Sequence, residues 1–175
     1  MRVYWPTTLA ALARLADAAE LAVAPVTVHA VTPTLRDYYA DADPRDLEEE
    51  LEYVAMTDAA GESVRLLAAQ TAGTAPRRVV LALDVPDAAV EVERTGWAAP
   101  ERSRVRLTVA LTLDDLASVH VDDGDAEADV RAAVAALPAA DAGDDDARFT
   151  VEACEGHDLL WYDARELPIL LSVGP

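Results

Sequence analysis

The chain has 175 residues, a mass of 18.6 kDa, 52% apolar residues and a formal charge of −19. That length can bury a core, no apolar run approaches the roughly 18 residues of a membrane span, and one cysteine excludes both a disulfide framework and a cysteine-rich zinc module. Against 33 acids stand 14 basic residues, all arginine, a field that opposes DNA, RNA and anionic membranes.

Lysine and asparagine are absent, and isoleucine and phenylalanine occur once each, as Ile169 and Phe149. Codon bias in a GC-rich genome explains all of these depletions together, so much of the acidity is expected to reflect solubility and genome history. No secretory apolar region follows Met1, which predicts a cytoplasmic protein.

In chain order, residues 2–5 predict a short strand that Pro6 ends. Thr7 or Thr8 then caps a helix with Leu9, Leu12, Ala13 and Ala16 on one face. Pro25 introduces a β-branched run over residues 26–31. Thr32-Pro33 pairs an N-cap with proline at the first helical position, and Leu35, Tyr38 and Tyr39 give that short helix its apolar side. Asp43-Pro44 repeats the signal and opens a helix reaching about Ala69. Its apolar face runs through Leu47, Leu51 and Val54, then Met56, Ala60, Val64 and Leu67, and the offset near Gly61 predicts a bend or break.

After a turn over residues 71–77, residues 79–85 are apolar on both alternating faces, the pattern of a central strand covered on both sides. Residues 86–103 predict a long connection or irregular hairpin, and residues 105–113 one strand with a wetter face. A helical turn over Asp114-Asp115-Leu116-Ala117 leads to a strand over residues 118–122. A helix over residues 126–137 is expected to stop at Pro138, followed by a loop over residues 139–147 that carries Asp144-Asp145-Asp146. Residues 159–171 are too apolar for a free tail and predict a docking strand or helix with Trp161 buried. The expected architecture is a single α/β domain over residues 1–175, a mixed, partly parallel sheet with helices packed on its faces.

The strongest chemical constellation is His120-Val121-Asp122-Asp123, with Asp84 near it if the two strands are neighbours. Asp84, His120, Asp122 and Asp123 are therefore the candidate ligand-binding residues. Such oxygens plus one imidazole suit Mg or Mn, although the spacing does not match a calcium loop. The competing expectation, and the preferred one, is that these aspartates cap the helix that follows. No catalytic residue, no metal ligand and no cofactor is assigned.

Other features carry less. Cys154 and His157 have the spacing of half a zinc site with no second pair, which predicts a buried cysteine and a loop histidine. His29 reads as an ordinary sheet histidine. The glycines are never two apart, so no dinucleotide fingerprint, phosphate loop or nucleophile elbow is present. Arg102, Arg104 and Arg106, with Arg77 and Arg78, form a positive stripe expected to protect a sheet edge and bond neighbouring acids. Trp5, Trp97, Trp161, Tyr38, Tyr39 and Tyr162 are expected to pack.

Four blocks of sequence span the chain: Met1-Arg2-Val3-Tyr4 with Pro6-Thr7; His29-Ala30-Val31-Thr32-Pro33 with Leu35-Arg36; Val119-His120-Val121-Asp122-Asp123 with Asp125-Ala126-Glu127; and His157-Asp158-Leu159-Leu160-Trp161-Tyr162 with Glu166. Together they resemble an uncharacterised actinobacterial family catalogued as a domain of unknown function. The resemblance implies one cytoplasmic domain and brings no activity. Two functions stand open: a non-catalytic module binding a protein partner or small ligand, with regulation one use of it, or a small metal-assisted hydrolase or phosphoryl-transfer enzyme. The enzyme requires Asp84, His120, Asp122 and Asp123 to converge in one pocket.

Overall fold

Strands and helices alternate in the computed structural model, which describes residues 1–18, 20–22, 24–40, 47–70, 75–92 and 100–172. The first half comprises β1 (Arg2–Thr7), α1 (Leu9–Ala18), β2 (Glu20–Ala22), β3 (Val26–Ala30), α2 (Pro33–Tyr38), α3 (Leu47–Ala68) and β4 (Val79–Asp84). The second comprises β5 (Val90–Val92), β6 (Arg104–Leu107), β7 (Leu111–Thr112), β8 (Leu116–Asp122), α4 (Glu127–Asp141), α5 (Asp145–Glu152), β9 (Leu159–Asp163) and α6 (Leu167–Ser172). A seven-stranded sheet has the order β5-β6-β3-β1-β4-β8-β9, and β2 pairs with β7 in a small second sheet.

The α/β class holds, but the sheet is not partly parallel: among the described residues every strand pair is antiparallel. β3 and β4 both run opposite to β1 and so point the same way, with α3 as the crossover between them. β1 occupies the place between them. A helix-length connection thus joins co-directional strands without making them neighbours.

β4 is the central strand its sequence predicts. Val79, Leu81 and Leu83 bury into a cluster with Leu9 and Leu12 of α1 and Leu167 of α6, while Val80 and Ala82 bury against Leu51, Ala55 and Ala59 of α3. Leaving either face wet would forfeit roughly 25 cal/mol per Å² of apolar area.

α3 runs unbroken through Gly61. Its buried face is Leu51, Ala55, Ala59, Ser63 and Leu67, at a spacing of four, with Ala60 and Val64 beside it. Small side chains, rather than the larger apolar ones, mark the contact with the sheet, so the predicted bend has no cause. Ser63 fixes the crossing: its Oγ donates to the Thr7 carbonyl at 2.7 Å and accepts the Val79 N–H at 3.0 Å, joining the end of β1 to the start of β4.

Prolines produce two corrections. Pro6 lies inside β1 opposite Val80, where the pairing of β1 with β3 covers Val3 and Tyr4 and the missing N–H breaks no ladder there. Pro138 lies inside α4, whose last turn forfeits one ladder bond and continues to Asp141. Gly143, at φ 94°, then ends the helix with its N–H on the Ala140 carbonyl. The expected loop over residues 139–147 is therefore mostly helix. Asp144 caps α5 by accepting the Ala147 N–H at 2.9 Å, and Asp145 and Asp146 fill its first turn.

The single strand expected over residues 105–113 divides into β6 and β7, which lie in different sheets. Trp161 is 60% exposed, not buried, because β9 is an edge strand with a neighbour on one side only. The helix start at Asp43-Pro44 and the aromatic Trp97 lie outside the described residues. Among the described residues, no helix is long and apolar enough to cross a membrane.

Candidate functional site

β8 carries His120 and Asp122 and ends just before Asp123, and its alternation is as expected: Val119 and Val121 enter the core, while Ser118, His120 and Asp122 share the other face. Asp122 is fully buried against Arg78, whose side chain is 2% exposed. Arg78 Nε lies 2.9 Å from Oδ2 and Nη2 lies 2.6 Å from Oδ1, and the Arg78 backbone N–H adds a bond to Oδ2 at 2.7 Å. The same Nη2 donates to the His157 carbonyl. Both carboxylate oxygens are thus occupied, in a bidentate geometry suited to burial.

Asp123 begins the turn that leads into α4, and its Oδ1 accepts the Asp125 N–H at 3.3 Å. The cap expected of this aspartate run thus falls on the single 3-10 turn Gly124–Ala126 ahead of α4 and is made by Asp123 alone; α4 itself has no side-chain cap. His120 Nε2 lies 3.0 Å from Ser118 Oγ, and burial, then Arg2, lowers its pKa. Asp84 binds Arg2 through two bonds of 2.9 and 2.8 Å, which hold its carboxyl below the usual carboxylate range.

Antiparallel register keeps these groups apart. Val79 lies opposite Val121 and Leu83 opposite Leu116, so Asp84 and Asp122 sit at opposite ends of β4, separated by about 20 Å at roughly 3.3 Å per residue. Asp122 and Asp123 stay together; Asp84 does not join them. Among the described residues, no group of three or more His, Cys, Asp or Glu is placed to hold a metal ion.

Asp122 and Asp123 lie at one end of a cleft of about 370 Å³ between the β8–β9 edge, α1 and α6. Its walls are Leu9, Val121, Leu160, Tyr162, Ile169 and Leu170, with Arg77, Gly124 and Glu166 completing the lining. A turn positions Glu166: its carboxylate accepts the Asp163 N–H at 2.9 Å, while Asp163 accepts the Arg165 N–H. Arg77 is held by Glu127, with Nε 2.8 Å from Oε1, and passes so close to Gly124 that a Cβ there would lie 3.3 Å from Nη2.

Tyr162 packs against the main cluster as expected, and the pairing of Arg78 with Asp122 was not foreseen. The signal for that pair was an arginine directly before the central apolar strand, which a buried strand tolerates only with a counter-ion.

The remaining candidates have structural partners. Cys154 is buried, its Sγ donates to the Val151 carbonyl, and burial pushes its thiol pKa up, away from a nucleophilic thiolate. His157 Nε2 pairs with Asp129 at 2.7 Å on the surface. The arginine stripe is divided: Arg104 pairs with Glu62, Arg106 with Glu91, and Arg102, in a turn before the strand, stacks 4.4 Å above the Tyr38 ring. β6 is also covered by β5, so it is not the edge that these arginines were expected to protect.

A family model described as a family of unknown function, DUF6912, matches residues 1–171, and the chain belongs to that family. No curated protein and no solved structure matches the chain.

Proposed function

We propose that the protein is a non-catalytic binding module and that the cleft between β9 and α6 takes a small organic cation with an apolar body. The charge balance of the lining carries this reading. Asp122 is neutralised by Arg78 and Arg77 by Glu127, so Asp123 and Glu166 leave the apolar cleft with net negative charge. The volume lies within the usual range for small-molecule sites, and the half-buried Tyr162 is one of the residues that line it. The enzyme alternative needs Asp84, His120, Asp122 and Asp123 at one point; their separation and the occupied oxygens of Asp122 favour binding instead. This reading takes the chain as one domain in the cytoplasm of an actinobacterium, working without cofactor, nucleic acid or membrane.

Titration with benzylamine, benzyl alcohol and benzoate, followed by amide chemical shifts, tests it. Benzylamine is expected to bind tightest and to shift residues of β9 and α6, and Glu166→Gln to weaken it several-fold. Equal binding of all three compounds, or shifts elsewhere, would refute the proposal.

A further inference from the structure

β9 ends the seven-stranded sheet, and the register of its neighbours shows which backbone groups it leaves for another strand. Asp122 donates its N–H to the Arg78 carbonyl, so the even residues at this end of β8 bond toward β4. The odd ones, Val119 and Val121, then bond toward β9, where they stand opposite Tyr162 and Leu160. Successive residues of a strand bond to opposite sides, so the N–H and C=O groups of Leu159 and Trp161 point away from β8. Among the described residues no strand meets them, while the outward N–H of Asp163 is taken by the Glu166 carboxylate.

Such an edge is a template for another chain unless a charge, a proline or a bulge blunts it. The opposite edge, β5, is three residues long with Glu91 at its centre. β9 has five residues, pairs with β8 without a register shift, and exposes Leu160 by 42% and Trp161 by 60%. Its ends are acidic: Glu155 and Asp158 precede it, Asp163 and Glu166 close it, and Asp123 lies in the adjoining cleft. Of the basic groups nearby, His157 is paired with Asp129, and Arg165 is the one arginine after Arg148.

We propose that β9 is an interaction surface for a partner protein, which adds an extended basic segment to the sheet as an eighth, antiparallel strand. Strand addition here rests on the reading of the cleft as a cation site. Side chains directly opposite each other share a face, so a partner residue opposite Leu160 projects to the cleft side, where Asp123 and Glu166 lie. That residue is Arg or Lys. Its two neighbours, opposite Leu159 and Trp161, exchange backbone bonds with them and lay their side chains on the Trp161 face. Charge selects this occupant over a second copy, which would set −19 against −19.

Three acetylated, amidated pentapeptides test the edge on the full chain: Thr-Val-Arg-Val-Thr, the same with Glu for Arg, and the same with both valine amides N-methylated. With Arg opposite Leu160, the valine N–H groups are the ones that reach β9. The arginine peptide is expected to bind at least about tenfold tighter than either of the others and to slow hydrogen exchange at the Leu159 and Trp161 amides. Trp161→Pro, which removes an outward N–H and no bond to β8, should keep the melting transition and lose the peptide. If it does not fold, the N-methylated peptide decides on the wild-type chain. Equal affinity for the glutamate or the N-methylated peptide, or unslowed exchange at Leu159 and Trp161, overturns the proposal. Benzylamine in the cleft without peptide on the strand strikes strand addition alone; no benzylamine in the cleft strikes the cation site and the arginine anchor with it. Amides already slowed in the free protein and released on dilution assign the edge to a second copy and overturn the proposal as well.

Discussion

Asp122 faces a guanidinium that solvent cannot reach, whereas Asp123 and Asp84 face an amide and a guanidinium at the surface. The same side chain therefore carries three different costs. Asp122→Ala leaves Arg78 buried and unpaired and is expected to lose about 3–5 kcal/mol in urea denaturation. Asp123→Ala loses a cap, about 1 kcal/mol, and Asp84→Ala an exposed pair, at most about 1 kcal/mol. Arg78→Met with Asp122→Leu should recover most of the first loss, since neither charge is then stranded. Equal losses for the three single variants would contradict this ordering. His29 adds a pH dependence. Its folded pKa, about 4, lies below the ordinary value of 6.5, so the unfolded chain binds the extra proton first. Its contribution is full above pH 6.5 and is lost as pH falls through 4, up to about 3 kcal/mol. Asp58, whose pKa burial raises, opposes part of that loss. Stability is expected to fall between pH 6.5 and 4, and to fall less in His29→Phe; parallel profiles would count against the depressed pKa. Capping by Asp123 was legible because a cap is local, needing only the next few residues. The Asp122–Arg78 pair was not, because strand register chose the partner.

Elements differ in how much of them their own residues determine. Thr32 accepts the Leu35 N–H and Pro33 opens α2 as the local signal required. β4 also followed from its own sequence, because a run apolar on both faces has few other places to go. Pro138 and the Val105–Leu113 alternation misled for the opposite reason: contacts outside the window carried α4 past its proline and split one pattern between two sheets. Gly61 shows the same separation. It lies within a continuous helix and a Cβ there meets nothing within 4 Å, so Gly61→Ala should stabilise by about 0.5–1 kcal/mol, read as a higher melting temperature. At the C-terminal edge, β9 pairs with β8 over five registered positions and Leu167, Leu170 and Leu171 pack on the main cluster. Deleting residues 159–175 uncovers Val119 and Val121 and is expected to abolish cooperative melting, whereas Trp161→Ala, at an exposed position, should shift stability by under about 1 kcal/mol. An unchanged melting temperature after the deletion would show that β9 and α6 do not hold the sheet.

At the scale of the molecule, topology and charge were legible to different degrees. A sequence shows that a helix connects two strands, but not that β1, synthesised first, will lie between them; that order follows from long-range pairing. Net charge needs no fold, and its consequences are sharper once the arginines are placed. Arg2, Arg36, Arg65, Arg77, Arg78, Arg104, Arg106 and Arg148 each face a carboxylate, so the positive charge is absorbed in pairs and the excess acids remain as a surface field. Two opposing salt effects follow. Screening weakens the exposed pairs, which contribute little each, and it also weakens the mutual repulsion of a chain at −19. The repulsion is summed over the whole surface, and it wins. The melting temperature is therefore expected to rise as salt increases from about 0.01 M to about 1 M, where the Debye length shrinks from roughly 30 Å to 3 Å. Under the same field, no shift of generic DNA or RNA is expected at physiological salt, because no described arginine cluster is left to neutralise phosphates. A melting temperature that falls with salt would mean that the ion pairs outweigh the repulsion, and a retarded nucleic-acid band would mean that enough arginine escapes its carboxylate to bind phosphate.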